Sequence, residues 1–252
     1  MTVDTGYGTQ QKAAKVAGFA YLLSLPFVIF THFGINARLI VAGDAAATAR
    51  NIIAHERLFR VGIVSYLLYS AGVVVLLAAL YVVLKRVDEN LSLIAACGRL
   101  VYAVIWVVMT LNLFTVLRLL KGPDYVQALG AERLPVFARL FLSGFDAYYV
   151  ALLFYGLGAT VSSYLWFKSH YIPRALAAFG VISCLFCAAC TLVFLIVPDF
   201  AKVVNLWWFD SPMAVFEIAT SFWLLFKGLR ASGTAGPDAT DRAIRLPVTN
   251  QL

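Results

Sequence analysis

The sequence predicts an all-α fold: a polytopic membrane bundle of six transmembrane helices, with short interfacial helices in its two outer connections. Three observations predict it. Of 252 residues, 62% are hydrophobic and 13% charged, whereas a soluble domain carries about 25% charged residues to cover its surface. The mean hydropathy of +0.85 leaves too little polar surface to face water all round. The apolar runs are long and unbroken, without the period-two alternation of barrel strands. In lipid every backbone N–H and C=O must be paired internally, so runs of this kind span as helices.

Residues 1–13 are polar, with two glycines, and read as a flexible tail. Helix 1 follows from Ala14 to Ile35, with a kink expected at Pro26. Lys12 and Lys15 before an apolar run resemble the start of a signal peptide. Retention is the better reading, because the run is long and no A-x-A site follows closely. Gly43 and Asp44 open the first long connection's helix, with Asp44 as N-cap; Arg50, Asn51, His55, Glu56 and Arg57 make that helix too polar to span. Helix 2 runs from Phe59 to Leu84, and helix 3 from Leu91 to Leu119. Residues 124–143 form the second long connection, with a helix start at Pro135. Helices 4, 5 and 6 run from Gly144 to Phe167, Arg174 to Val197 and Ser211 to Phe226. Trp207 and Trp208 fit an interfacial aromatic belt. Residues 14–230 are thus the transmembrane domain, and 231–252 read as a disordered tail rich in Gly, Thr, Pro and Asp.

Helices 2, 4 and 6 end alike, with an aromatic ring followed by Lys85, Lys168 or Lys227. Lys12, Lys15, Arg86, Arg174 and Arg230 fall on the same side. An excess of Lys and Arg marks the cytoplasmic face, so both termini are expected there, in a plasma (inner) membrane of bacterial type. The net charge of +7 is then topogenic and faces anionic headgroups. No basic stripe with interleaved aromatics lies outside the spans, so nucleic acid is not an expected partner. The expected partners are the lipid bilayer and a small-molecule or lipid ligand, with oligomerisation left open.

A charge at the bilayer centre costs roughly 2.5–3.5 kcal/mol on insertion scales, so such residues are site candidates. At about 1.5 Å per residue, Arg99 lies about 12 Å and Glu217 about 15 Å from the cytoplasmic face. They are expected to pair, either to hold helix 3 against helix 6 or to handle a ligand or proton. Asp146, at the outer start of helix 4, reads as solvated or capping. The other reading joins it to Arg60 or Asn112 in a polar site. Asp44, Asn51, His55 and Glu56 form a candidate site in the first outer connection.

No metal site or cofactor is expected. Cys184, Cys187 and Cys190 share a face of helix 5, but no histidine is near and cysteine is a common packing residue in helices. With Cys97, all four cysteines lie in apolar runs, outside any disulfide framework. His32 and His55 both fall near the outer face and His170 on the opposite side, a poor arrangement for haem. No phosphate loop, nucleophile elbow or H-E-x-x-H motif occurs.

Several short motifs, in order, resemble those of a bacterial membrane family called domain of unknown function 4386. They are Gly43-Asp44-Ala45-Ala46-Ala47-Thr48-Ala49 with Asn51-Ile52, Leu58-Phe59-Arg60, Arg99-Leu100 and Phe154-Tyr155-Gly156-Leu157. Lys168-Ser169, Tyr171-Ile172-Pro173-Arg174, Glu217, Trp223-Leu224-Leu225 and Lys227-Gly228 continue the series, over roughly residues 12–230. The resemblance implies a small multi-pass bacterial membrane protein and carries over no activity. It also implies that Asp44, Arg60, Arg99 and Glu217 belong to recurring motifs. Asp146 departs from it, standing where a histidine or another polar residue would be expected.

Three functions stay open. The first is a non-enzymatic binding, sensing or regulatory protein, with a lipid-open pocket near Arg60, Arg99 and Glu217. The second is a small transporter or channel subunit, which needs a polar path that the spans have few residues to line. The third is an intramembrane enzyme or redox protein, with Asp44, His55, Glu56 and Arg60 clustered over a cavity.

Overall fold

Every regular element among the described residues is helical. The computed structural model describes residues 2–122, 130, 132–142, 146–197 and 199–230, with only the backbone described at 2–6, 146, 201–202 and 206–207. Helix α1 (Thr2–Ile29) runs into a π-helical stretch (Phe30–Asn36) and a last turn, α2 (Ala37–Leu39). Then come α3 (Ala45–Ala54), α4 (Glu56–Leu84), α5 (Glu89–Lys121), α6 (Leu134–Leu142), α7 (Asp146–Ser169), α8 (Arg174–Ile196), the short α9 (Phe200–Val203) and α10 (Leu206–Phe226).

Local chemistry sets the ends of these helices. Asp44 Oδ1 accepts from the Ala47 N–H at 2.8 Å and starts α3. Asp88 Oδ1 does the same for Leu91 at 3.1 Å and starts α5; each satisfies a backbone donor that lacks an intrahelical partner. Gly228, at φ +69°, ends α10 and sends its N–H back to the Trp223 carbonyl.

The six long helices close a ring. α1 packs on α4, α4 on α5, α5 on α7, α7 on α8, α8 on α10, and α10 returns to α1. The outer surface of this ring is apolar, with Ile182 69% and Ile196 75% exposed, whereas Arg99 is 4% and Glu217 8% exposed. Exposed apolar area on this scale is a liability in water and the normal outer surface in lipid. Among the described residues, five stretches are long and apolar enough to cross a membrane: Tyr7–Leu39, Glu56–Leu84, Glu89–Lys121, Leu134–Ser169 and Arg174–Ile196. The protein is therefore built as a helical membrane protein. At about 1.5 Å per residue, the 21 residues of α10 reach about 31 Å. This helix stands apart from the five because Asp210, Pro212 and Glu217 interrupt its apolar run.

The N-terminal segment, expected as a flexible tail, is helical from Thr2 onward. Residues 7–13 are the first turns of α1 and are tied down on three sides. Gln10, 3% exposed, donates to the Val83 carbonyl at 2.9 Å. Gln11 holds Leu229 by two reciprocal bonds, of 2.8 and 3.0 Å, and the Tyr7 hydroxyl donates to the same Leu229 carbonyl at 3.0 Å. These contacts bring the start of α1, the end of α4 and the end of α10 together. Lys168, 3.8 Å from Asp88, adds the end of α7 and the α4–α5 turn. Pro26 lies inside an unbroken α1, and the irregularity follows it, in the π-helical stretch. Residues 231–252, and residues 124–129, 131 and 143 of the second long connection, lie outside the described residues.

At the opposite end a second small core forms. Ile35, Leu39, Ile52, Phe59, Val116, Leu120, Leu134 and Ala138 pack together, drawing α3 and α6 over the ends of α4 and α5. Glu56 fastens this end by pairing with both Arg60 and Lys121.

Candidate functional site: a tyrosine-lined cavity over a buried ion pair

Small residues let α5 and α7 approach closely. A Cβ at Gly98 would stand 2.7 Å from the Phe154 carbonyl oxygen, and one at Gly158 would stand 2.8 Å from that of Ala95. Only glycines permit this crossing. It carries Arg99, the next residue on α5, into the packed interior. There its guanidinium donates to Ser162 Oγ at 2.7 Å and to the Gly158 carbonyl at 3.3 Å. It also lies 5.3 Å from the centre of the Tyr155 ring.

Glu217, from α10, faces Arg99 with a shortest N–O distance of 3.6 Å. The Tyr155 hydroxyl donates across both carboxylate oxygens, at 2.9 Å to each, and Tyr21, from α1, stands within electrostatic reach of the same carboxylate. Four helices, α1, α5, α7 and α10, thus converge on one ion pair. Removing two charges from water is costly, and hydrogen bonds to the remaining lone pairs make it tolerable.

Above this pair lies a cavity of about 430 Å³, within the range of small-molecule sites. Its walls come from α1, α4, α5, α7 and α10. Seven of the chain's twelve tyrosines line it: Tyr21, Tyr66, Tyr69, Tyr102, Tyr148, Tyr149 and Tyr155. That share makes the lining aromatic rather than aliphatic. Trp106 joins four of them, with ring centres 5.1 Å from Tyr66, 5.2 Å from Tyr69, 6.2 Å from Tyr102 and 5.9 Å from Tyr148. The Tyr69 and Tyr102 hydroxyls share a hydrogen bond of 2.7 Å. The Trp106 indole N–H is buried without a partner among the described residues.

Two carboxylates border the cavity, Glu217 at its floor and Asp210 two turns earlier on α10. Asp210 has no ion-pair partner among the described residues. Ile29, His32 and Phe33 are the exposed members of the lining and mark the mouth, at the π-helical stretch. Irregular turns of this kind recur at functional sites because they re-aim side chains from a helix.

The sequence-derived candidates separate in space. Arg99 and Glu217 come together. Arg60 does not join them: its side chain is 53% exposed and bonds Glu56 one turn away at 2.8 Å, as an i,i+4 pair at the outer end. Asn112 lines a smaller cavity of about 50 Å³, behind the wall made by Tyr66 and Trp106. The side chain of Asp146 lies outside the described residues. The outer-connection group is occupied structurally. Asp44 caps α3, Asn51 donates to the Leu39 carbonyl at 3.4 Å, His55 Nδ1 lies 3.1 Å from the Asn51 carbonyl, and Glu56 pairs with Arg60 and Lys121. None of these four residues lines the large cavity. Cys184 lies 3.7 Å from Ser163 Oγ in the packing of α7 against α8. Among the described residues no three His, Cys, Asp or Glu side chains converge as a metal site would require.

Sequence reasoning missed Asp210 and the aromatic walls. The signal was present as spacing: Tyr66 and Tyr69, Tyr102 and Trp106, and Tyr148, Leu152 and Tyr155 each recur at three or four residues, on one helix face. No curated protein and no solved structure matches the chain. The family model described as a domain of unknown function (DUF4386) matches residues 16–228, nearly the whole chain, and the protein belongs to that family.

Proposed function

We propose that this protein is a non-enzymatic membrane receptor for a small molecule, which lodges in the central cavity and is sensed or held there. In this reading six helices cross a bacterial inner membrane, α10 among them, with α3 and α6 at the outer interface. Both termini face the cytoplasm, beside Lys12, Lys15, Lys85, Lys168 and Lys227. The carrying observation is the cavity itself: about 430 Å³, walled by aromatic rings, with Glu217, the partner of Arg99, at its floor and the exposed Ile29 and His32 in its lining. At about 30 Å³ per water it would hold roughly a dozen waters, so an apolar ligand would release many of them.

A transport reading needs a path onward, past Arg99 towards the lysine-rich end. The space there, between Leu84, Ser92, Arg99 and Ser162, has no volume for a water. The closed floor favours binding over passage. None of Asp44, His55, Glu56 and Arg60, on which an enzymatic reading rests, lines this cavity.

Native mass spectrometry of the protein, extracted with its lipids, tests the binding reading. A discrete bound mass is expected, and Ala214→Phe, which fills the cavity, should displace it while the protein stays monodisperse. A protein that carries no bound mass and acquires none from a cell extract would contradict the reading. Thiol labelling of Arg60→Cys from outside intact cells, and of Lys227→Cys only after lysis, would support the orientation; the reverse pattern would invert it.

A further inference from the structure

We propose that the cavity takes a monovalent organic cation with a small apolar body, an amine or a quaternary ammonium, held by Asp210 and the aromatic walls around Trp106. This rests on the reading of the cavity as a ligand site.

The argument begins with the balance of charge. Of the two carboxylates on the cavity, Glu217 already faces Arg99 at 3.6 Å. Asp210 faces no cation among the described residues. His32, at the mouth, is the other ionisable lining group besides the tyrosines, and it has contacts of its own. A carboxylate in a low-dielectric space is costly unless something of opposite charge accompanies it. An anionic ligand would meet two carboxylates and no lining guanidinium, so it is disfavoured.

The walls then select among cations. Hard metal ions need about six or more oxygen ligands, and the cavity offers two carboxylates, one of them already facing Arg99, in a lining that is mainly aromatic and aliphatic. Tyr69 and Tyr148 both lie within its electrostatic reach, and Trp106 sits 5.2 and 5.9 Å from those two rings. Ring faces attract weakly hydrated cations through their quadrupole, Trp most strongly, which is how aromatic cages hold ammonium groups. Free volume of about 430 Å³ leaves room for an apolar body beside the charge.

The test uses the full-length protein in uncharged maltoside micelles with three probes of one size class. Benzyltrimethylammonium is the cation, neopentylbenzene its neutral carbon isostere, and benzenesulfonate the anion. Saturable rises in melting temperature give the affinities. The cation should bind at least about tenfold more tightly than the isostere, and the anion should not bind. Asp210→Asn should remove that preference, and Trp106→Leu should weaken the cation more than the isostere. Equal affinity for cation and isostere in the unaltered protein overturns the cation assignment and leaves the cavity a ligand site. A preference that survives Asp210→Asn overturns the role of Asp210. Failure of all three probes overturns both readings. Because the first comparison needs no substitution, a variant that does not fold cannot shield the proposal.

Discussion

Tyr155 places its hydroxyl 2.9 Å from each carboxylate oxygen of Glu217, while its ring lies 5.3 Å from the Arg99 guanidinium. One side chain from α7 thus serves both members of an ion pair contributed by α5 and α10. It also lines the cavity, beside Glu217. The floor of the site and the closure of the helix ring therefore depend on the same few atoms.

The ion pair makes the first prediction. Breaking a buried pair by removing one partner leaves an uncompensated charge, a loss of about 3–5 kcal/mol. Arg99→Leu and Glu217→Leu should each lower the melting temperature in detergent sharply, and the double substitution should cost less than the two losses added. Strict additivity would show that the two side chains do not interact.

Tyr155→Phe removes the hydroxyl and keeps the ring. With that hydroxyl lost, the carboxylate keeps Arg99 as its ion-pair partner. The expected destabilisation is about 1–3 kcal/mol, smaller than that of Glu217→Leu. A denaturant titration followed by circular dichroism measures it, and no loss at all would show that the hydroxyl is not satisfying the acid.

Helix approach gives a sharper contrast. A methyl group at Gly98 would meet the Phe154 carbonyl at 2.7 Å, whereas one at Gly8 meets nothing within 4 Å. Gly98→Ala should therefore force α5 and α7 apart and lower the melting temperature. Gly8→Ala should leave it unchanged or slightly raised, since alanine favours helix. Equal melting temperatures for the two variants would contradict the close crossing.

The order of the N-terminal turns is testable too. Gln11 satisfies both the N–H and the carbonyl of Leu229, beyond the end of α10. Gln11→Ala should speed amide hydrogen exchange at Leu229 without changing exchange at the centre of α5. Unchanged exchange at Leu229 would return residues 7–13 to the flexible segment that their polarity suggests.

Much of the architecture was legible because it follows from solvent alone. Long apolar runs, lysines after aromatic rings and two deep charges at matching depth already specify helices, shared ends and the meeting of Arg99 with Glu217. The cavity was not legible in the same way. A tyrosine in an apolar run satisfies hydropathy whether it faces lipid or an interior space, and seven of them gather only because four helices turn those faces inward. Asp210 was hidden by its neighbours: beside Trp207 and Trp208 it reads as an interfacial acid outside the span. The glutamines at 10 and 11 misled for the opposite reason. They look like tail residues, yet their side chains donate to backbone carbonyls at the end of α4 and just beyond α10.

The most direct measurement is an electron cryomicroscopy map of the protein in lipid nanodiscs, prepared without added ligand. Non-protein density is expected between Asp210 and Trp106, above a paired Arg99 and Glu217. A collapsed cavity, or Arg99 turned out towards the acyl chains, would contradict the account.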